Sequence, residues 1–198
     1  MLNHVISANT GGLPRALLVA GALRPKADAT QAVIALARDL VARNEQVVLV
    51  DLARGASVVS GRLGMPRVPG FTDLAAGRAS FSDVIRIDDE TPLQVITAGN
   101  PAVPGDGREP DRFMRVFEAL TQAYGCVVLH ADIATVQALL PALKFELPAA
   151  VAVLQDGASL DSAKGALSTF KALGCPIVVY EAGGRLRRMG LFSRSAAV

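Results

Sequence analysis

Three places in this chain carry residues of types that do chemistry. They are the connection Gly21-Ala-Leu-Arg-Pro-Lys-Ala-Asp-Ala-Thr30, the carboxylate Asp51 at the end of an apolar run, and His130 two residues before Asp132. The first lies between an apolar run and a helical pattern. In an open parallel sheet, ligands gather beyond the carboxyl ends of the strands, and a helix N-terminus there favours anions. A phosphate cradle needs glycines so that successive backbone N–H groups curl around the anion. It also needs a lysine at the helix start and a Ser or Thr for magnesium. Thr30 supplies the hydroxyl, but the rest of the connection is poorly suited. Lys26 reads as an exposed loop lysine; the sharper alternative is that it reaches back to replace the missing phosphate lysine, as Arg24 also could. Asp51 reads as the cap of a nearby turn, against the alternative of holding a metal-bound water. His130 beside a carboxylate has the makings of a base or ligand. With no third partner evident, it reads as a satisfied histidine at the core edge. Ser159-Leu-Asp-Ser162 reads as a capped helix start.

The elements that would position these residues alternate short apolar runs with helical periods. Strands are expected at 15–20, 46–51, 93–97, 126–129, 149–154 and 176–180. A helix is expected over 30–43, where Val33, Leu36, Ala37, Leu40 and Val41 share a face and Asn44 is the stop. The spacing of Phe113, Val116, Phe117 and Leu120 predicts another over 111–124. Further helices are expected at 133–143 and 159–173, and a short one within 69–77 with Thr72 as cap and Gly77 as stop. Strands apolar on both faces and alternating with helices imply an α/β fold, a mainly parallel sheet covered on both sides. Val19, Val48, Leu49, Val128 and Val153 are its expected core. The turn-rich stretch 100–110 reads as a long surface loop on the ligand-bearing edge.

Composition narrows the function classes. Half the residues are hydrophobic, enough for one sizeable core, and the length fits one domain. A net charge of +2 gives no footing for nucleic-acid binding. Cys126 and Cys175 read as two buried thiols at strand entries, not a disulfide framework. The first residues lack a charged start followed by a long apolar stretch, and no apolar run reaches the roughly 18 residues that span a bilayer. The expectation is a cytoplasmic protein. Arg185, Arg187, Arg188 and Arg194 give the C-terminus a local positive excess.

Several stretches together resemble the cytoplasmic kinase domain of bacterial exopolysaccharide tyrosine kinases, relatives of the ParA and MinD ATPases within the P-loop NTPases. Pro25-Lys-Ala-Asp-Ala-Thr30, followed by Ala35-Leu-Ala37, lies where that family has Pro-Gly-Glu-Gly-Lys-Ser/Thr and Asn-Leu-Ala. Val48-Leu-Val-Asp-Leu-Ala-Arg54 resembles Leu-Leu-Ile-Asp-Ala-Asp-Leu-Arg. Pro69-Gly-Phe-Thr-Asp-Leu-Ala-Ala-Gly77 is similar to Gly-Leu-Ser-Asp-Val-Leu-x-Gly, and Leu93-Gln-Val-Ile-Thr-Ala-Gly99 to Leu-x-Val-Leu-Pro-Ala-Gly. The resemblance spans about residues 15–182. The scaffold stretches carry it in combination, each being weak singly, and the functional stretches depart at nearly every point. Lys26 and Asp28 replace glycines, Ala29 replaces the phosphate lysine, and Ala53 replaces the second carboxylate. Where the Walker B strand would read Ile-Ile-Asp-Thr-Pro-Pro the chain has Val128-Leu-His-Ala-Asp132, with Asp132 two residues late. The only tyrosines, Tyr124 and Tyr180, do not form the family's C-terminal cluster.

The resemblance implies a P-loop NTPase-like three-layer α/β/α domain over 15–182, between an N-terminal tail at 1–14 and a basic tail at 183–198. The departures imply a degenerate kinase-like module. It would act in exopolysaccharide biosynthesis or export by docking on the cytoplasmic face of a membrane co-polymerase or export protein, with no catalytic residue and no metal ligand. Asp28 would set a carboxylate where phosphate should sit, and like charges about 4 Å apart repel by a few kcal/mol at an effective dielectric of about 20. ATP and magnesium belong only to the alternative, a divergent ATPase or tyrosine kinase using Lys26, Thr30 and Asp51, or a MinD/ParA-like positioning factor. The segment 184–194 reads as a solvated basic tail; its sharper reading is a weak contact with anionic lipid or an acidic partner, ordered only on contact.

Overall fold

The computed structural model describes residues 13–21, 29–53, 58–100, 110–143, 147, 149–154, 164–181 and 185–188. Four of the apolar runs become its central strands. These are β1 (Ala16–Gly21), β2 (Val47–Asp51), β5 (Cys126–Ala131) and β6 (Ala149–Leu154). β3 (Ile85–Ile87), β4 (Gln94–Ile96), β7 (Ile177–Glu181) and β8 (Arg185–Arg188) complete one sheet of order β3-β4-β2-β5-β1-β6-β7-β8. Only the outermost pairs, β3 with β4 and β7 with β8, run antiparallel. The five inner pairings are parallel. β2 and β5 are buried at every residue, as parallel strands covered on both faces must be.

Strand alternation divides the core in two. Leu17, Val19, Leu49, Val128 and Val153 face helix α1 (Thr30–Ala42), which returns Val33, Leu36, Ala37 and Leu40 to the same core. Short helix α2 (Val58–Arg62) adds Val59 on this side. Leu18, Val48, Val50, Val127 and Leu129 face the opposite layer. That layer is built from α3 (Phe71–Ala75), α5 (Pro110–Ala123), α6 (Ile133–Leu143) and α7 (Lys164–Ala172). Phe113 stacks on Phe117 and meets Phe71 at 6.2 Å, joining α5 to α3. The expected three-layer α/β/α architecture is therefore present, and the five expected core residues are at most 1 % exposed.

Local stops follow the sequence. Asn44 ends α1 with φ of 66° and Gly77 follows α3 with φ of 73°. Other expectations are corrected. Thr72 does not cap α3. Gly70 is its N-cap, and the Asp73 carboxylate accepts the Gly70 N–H at 3.1 Å. The cap must be glycine, since a Cβ there would lie 2.3 Å from the Thr97 carbonyl oxygen and 2.4 Å from the Gly99 nitrogen. Cys175 is only partly buried and precedes β7, whereas Cys126 is fully buried at the start of β5. The sheet also runs past the expected boundary at 182: Arg185–Arg188, assigned from sequence to a tail ordered only on contact, is strand β8. The strand β3 and the short helices α2 and α4 (Phe81–Val84) had no strong sequence signal.

A salt-linked clamp holds the β3–β4 turn against α1. The Arg38 guanidinium donates to both Asp88 carboxylate oxygens at 2.9 Å and to Glu90 at 2.6 Å, and the Thr91 hydroxyl donates to Asp88 at 2.7 Å. Burial pushes the Asp88 carboxyl up, but the bonds from Arg38 and Thr91 outweigh it and hold it below the usual carboxylate range. The same Asp88 hydrogen bond holds the Arg38 guanidinium above its ordinary range.

Candidate functional site

The candidate residues converge on the carboxyl edge of the sheet, on the face that α1 covers. β2 and β5 are adjacent, and their register sets Asp51 opposite His130. Leu49 and Val128, two residues earlier in each strand, belong to the α1-facing core, so Asp51 and His130 project to that same face. Asp51 is fully buried and His130 is 6 % exposed. His130 Nδ1 lies 3.0 Å from Asp51 Oδ1. The same oxygen accepts the Ala53 N–H at 3.1 Å. Asp51 thus caps the turn after β2, as its sequence context suggests, and also orients a buried imidazole. When Asp51 is ionised, Nδ1 carries the proton and donates, and Nε2 of the neutral ring is an acceptor.

The carboxylate nearest His130 in sequence is not its partner. Asp132 Oδ1 accepts the Thr135 N–H at 2.7 Å and so caps α6. The Thr135 hydroxyl, fully buried, donates to the Leu52 carbonyl at 3.3 Å, and Leu52 donates its own N–H to the His130 carbonyl at 2.7 Å. These bonds tie the start of α6 to the turn after β2 directly beside the Asp51–His130 pair. The pairing was missed in the sequence because its members are 79 residues apart. The only sequence signal was that each residue lies at the end of an apolar run that reads as a buried strand.

Thr30 opens α1 and is 1 % exposed, with Ala29 at the N-cap and no side-chain cap bond there. Lys26, Arg24 and Asp28 lie outside the described residues, as does Ser159-Leu-Asp-Ser162. Thr30 and Asp51 are therefore placed on the expected edge, while the position of Lys26 relative to them is not described. Among the described residues, no cluster of three His, Cys, Asp or Glu side chains is set to hold a metal. Burial pushes the Cys126 thiol up to about 12, reinforced by the charge of Glu45, and the Cys175 thiol up to about 11. Neither is a thiolate nucleophile at neutral pH.

A second constellation at this edge joins the two scaffold stretches that carry the resemblance most strongly. Phe71 donates its N–H to the Thr97 carbonyl at 2.7 Å and Thr72 to that of Ala98 at 3.2 Å. The Thr72 hydroxyl donates to Asn100 O at 3.1 Å. Arg67 Nε donates to Gly99 O at 2.9 Å, and Gly99 returns its N–H to Arg67 O at 3.2 Å. Gly99 has φ of 82°, and a Cβ on it would lie 2.3 Å from the Thr72 hydroxyl oxygen. Residues 69–77 and 93–99 thus form one bonded unit at the end of β4. All the hydrogen bonds named here lie within the chain, which suits a structural knot.

No protein-family model and no curated protein sequence matches the chain. Solved structures do. The chimerical protein CapA2B2 superposes with a TM-score of 0.78 at 17 % identity, covering 93 % of this chain and 83 % of its own. The kinase domain of the Escherichia coli tyrosine kinase ETK gives 0.74 at 16 % identity, covering 100 % and 73 %. The VpsO kinase domain gives 0.71 at 18 % identity, covering 84 % and 83 %. The chain has the α/β fold of these structures, two of them kinase domains, with a buried Asp–His pair at the carboxyl edge of its sheet.

Proposed function

We propose that this chain is a degenerate tyrosine-kinase-like module of bacterial exopolysaccharide biosynthesis or export. In this reading it docks on the cytoplasmic face of a membrane co-polymerase or export protein and does not hydrolyse ATP. The observation that carries it is the Asp51–His130 pair. Magnesium takes oxygen ligands in near-octahedral geometry. Here one strand-end position holds an imidazole, and the remaining carboxylate points an oxygen at it. That donor set does not fit a magnesium ion, and no catalytic step is derived through one. The substitutions Lys26, Asp28 and Ala29 in the preceding connection point the same way, since they remove the glycines and the lysine that hold phosphate. The retained scaffold knot at the end of β4 supports a fold kept for its surface. No helix among the described residues is long and apolar enough to cross a membrane, so membrane attachment through those residues would come through a partner or a surface contact.

A thermal-shift titration of the full chain with MgATP and MgADP tests the reading. A ligand at 100 times its dissociation constant adds about 2.7 kcal/mol to the native state. The expected outcome is an unmoved melting temperature. A saturable rise at micromolar nucleotide would favour the alternative, an active ATPase or kinase built on Lys26, Thr30 and Asp51.

A further inference from the structure

The amino edge of the sheet, at the far end of the strands from the Asp51–His130 pair, holds a cleft of about 420 Å3. Val47, which opens β2, and Gln94, which opens β4, line it. So do Val41 in the last turn of α1 and Ala123 and Tyr124 at the end of α5. Cys126 donates its N–H to the Gln46 carbonyl at 3.1 Å, which ties the turn after α5 to the turn after α1.

The charges around this cleft have one sign. A helix C-terminus carries a partial negative charge. Neither α1 nor α5 has a basic residue in its last turn to offset it. Arg43, the C-cap of α1, lies 3.9 Å from Asp39 and is not among the lining residues. Glu45 adds a full negative charge. Its Oε2 stands over the turn after α5, 3.7 Å from where a Cβ on Gly125 would lie. Among the described residues no cation pairs with it, and no Lys, Arg or His lines the cleft. Tyr124 donates its hydroxyl to Gln94 Oε1, and burial holds the phenol above its ordinary range, so it stays neutral.

We infer that this cleft is a binding site for a small organic cation, a guanidinium carried on a short apolar body. The volume lies within the range of about 300–1,000 Å3 usual for small-molecule sites. A hard metal ion takes several oxygen ligands, and Glu45 is the one carboxylate in the lining. Val41, Val47, Pro92 and Ala123 offer apolar wall to the body of such a ligand. A guanidinium is more weakly hydrated than an ammonium, matches a carboxylate in its planar fork and stacks on aromatic rings such as that of Tyr124. A free compound and an arginine side chain of a polypeptide share this chemistry.

The test is calorimetric titration of the 198-residue chain with butylguanidinium at low salt. The expected result is saturable binding with a dissociation constant of about 1 mM or tighter, weakening as salt rises. Butylurea has a similar shape without the charge and should bind at least about tenfold more weakly. Glu45→Gln should lose about tenfold for butylguanidinium, whereas Glu118→Gln, at another exposed carboxylate on α5, should keep the wild-type affinity. The urea comparison leaves the protein unaltered, so the test stands even if Glu45→Gln fails to fold. N-acetylarginine methylamide separates the sources. Binding at least as tight as that of butylguanidinium assigns the site to an arginine of a polypeptide, and weaker binding assigns it to a free compound. Equal binding of butylguanidinium and butylurea, equal binding by wild type and Glu45→Gln, or no saturation by about 10 mM would overturn the inference. The nucleotide titration tests the opposite edge of the sheet, so either reading can fail while the other stands.

Discussion

Neighbouring strands of this sheet end in different ways. β4 ends in a knot where Phe71 and Thr72 donate backbone N–H groups to the Thr97 and Ala98 carbonyls and Gly99 donates to that of Arg67, so closely that a Cβ on Gly70 or Gly99 would clash. β2 and β5 end in a pair of titratable side chains, Asp51 and His130, buried and bonded to each other. At the first end lie the stretches whose sequence resembles that of the tyrosine-kinase domains; at the second that resemblance fails at almost every chemical residue. The difference separates two demands on one edge. The knot is required for the sheet and α3 to meet at all, because no side chain fits where Gly70 stands. The position of His130 carries no such steric demand, and a buried polar group fills it if it finds a hydrogen-bond partner, as His130 does in Asp51. Fold and chemistry can therefore part company along one edge of a sheet.

That contrast can be broken experimentally, most severely at the knot. Gly70→Ala drives a Cβ into backbone atoms of Thr97 and Gly99, neither of which can rotate away. It should cost about 4 kcal/mol in urea denaturation, and near-wild-type stability would show that the knot does not hold the fold. His130→Asp is expected to cost about 3 kcal/mol at pH 7 by setting two carboxylates against each other. Adding magnesium or manganese should return part of that loss, with no such effect on the wild-type protein. A variant as stable as wild type in metal-free buffer would mean that the Asp51–His130 bond contributes nothing.

Away from the carboxyl edge, Arg38→Ala leaves the Asp88 carboxylate buried with Thr91 as its remaining side-chain donor in the clamp, and should cost about 2 kcal/mol. The clamp also sets a pH dependence. Asp88 is held below its ordinary 3.8, so the stability it contributes is fully present above that pH. It is lost as the pH falls below 3.8 through the folded-state value. Urea midpoints measured across pH 2 to 5 should therefore fall less steeply in Arg38→Ala than in the wild type. The smallest effect belongs to Glu90→Ala. Its carboxylate is 72 % exposed, and water screens its bond to Arg38. A loss of a few tenths of a kcal/mol is expected, and a loss approaching that of Arg38→Ala would show that the clamp acts as a unit.

Much of the scaffold was legible in the sequence because burial on both faces writes itself as an unbroken apolar run. Val47-Val-Leu-Val50 and Cys126-Val-Val-Leu129 admit few other readings. β3 was not legible, since three residues cannot establish an alternation, and β8 was hidden by its arginines, which suit an edge but read as a tail. At the site, Asp51, Thr30 and His130 were each singled out, but not the bond between Asp51 and His130. Asp132 was the nearer carboxylate in sequence, yet it lies beyond the strand and turns to cap α6. Sequence distance could not reveal which strands are neighbours, and the strand order alone made Asp51 the partner.

The most direct test of the central claim is turnover. The 198-residue chain incubated with ATP and either magnesium or manganese should release no phosphate above buffer and form no phosphotyrosine, and Asp51→Asn should behave identically. Turnover that Asp51→Asn abolishes would contradict the account, because it would show Asp51 serving a nucleotide site and not merely holding His130.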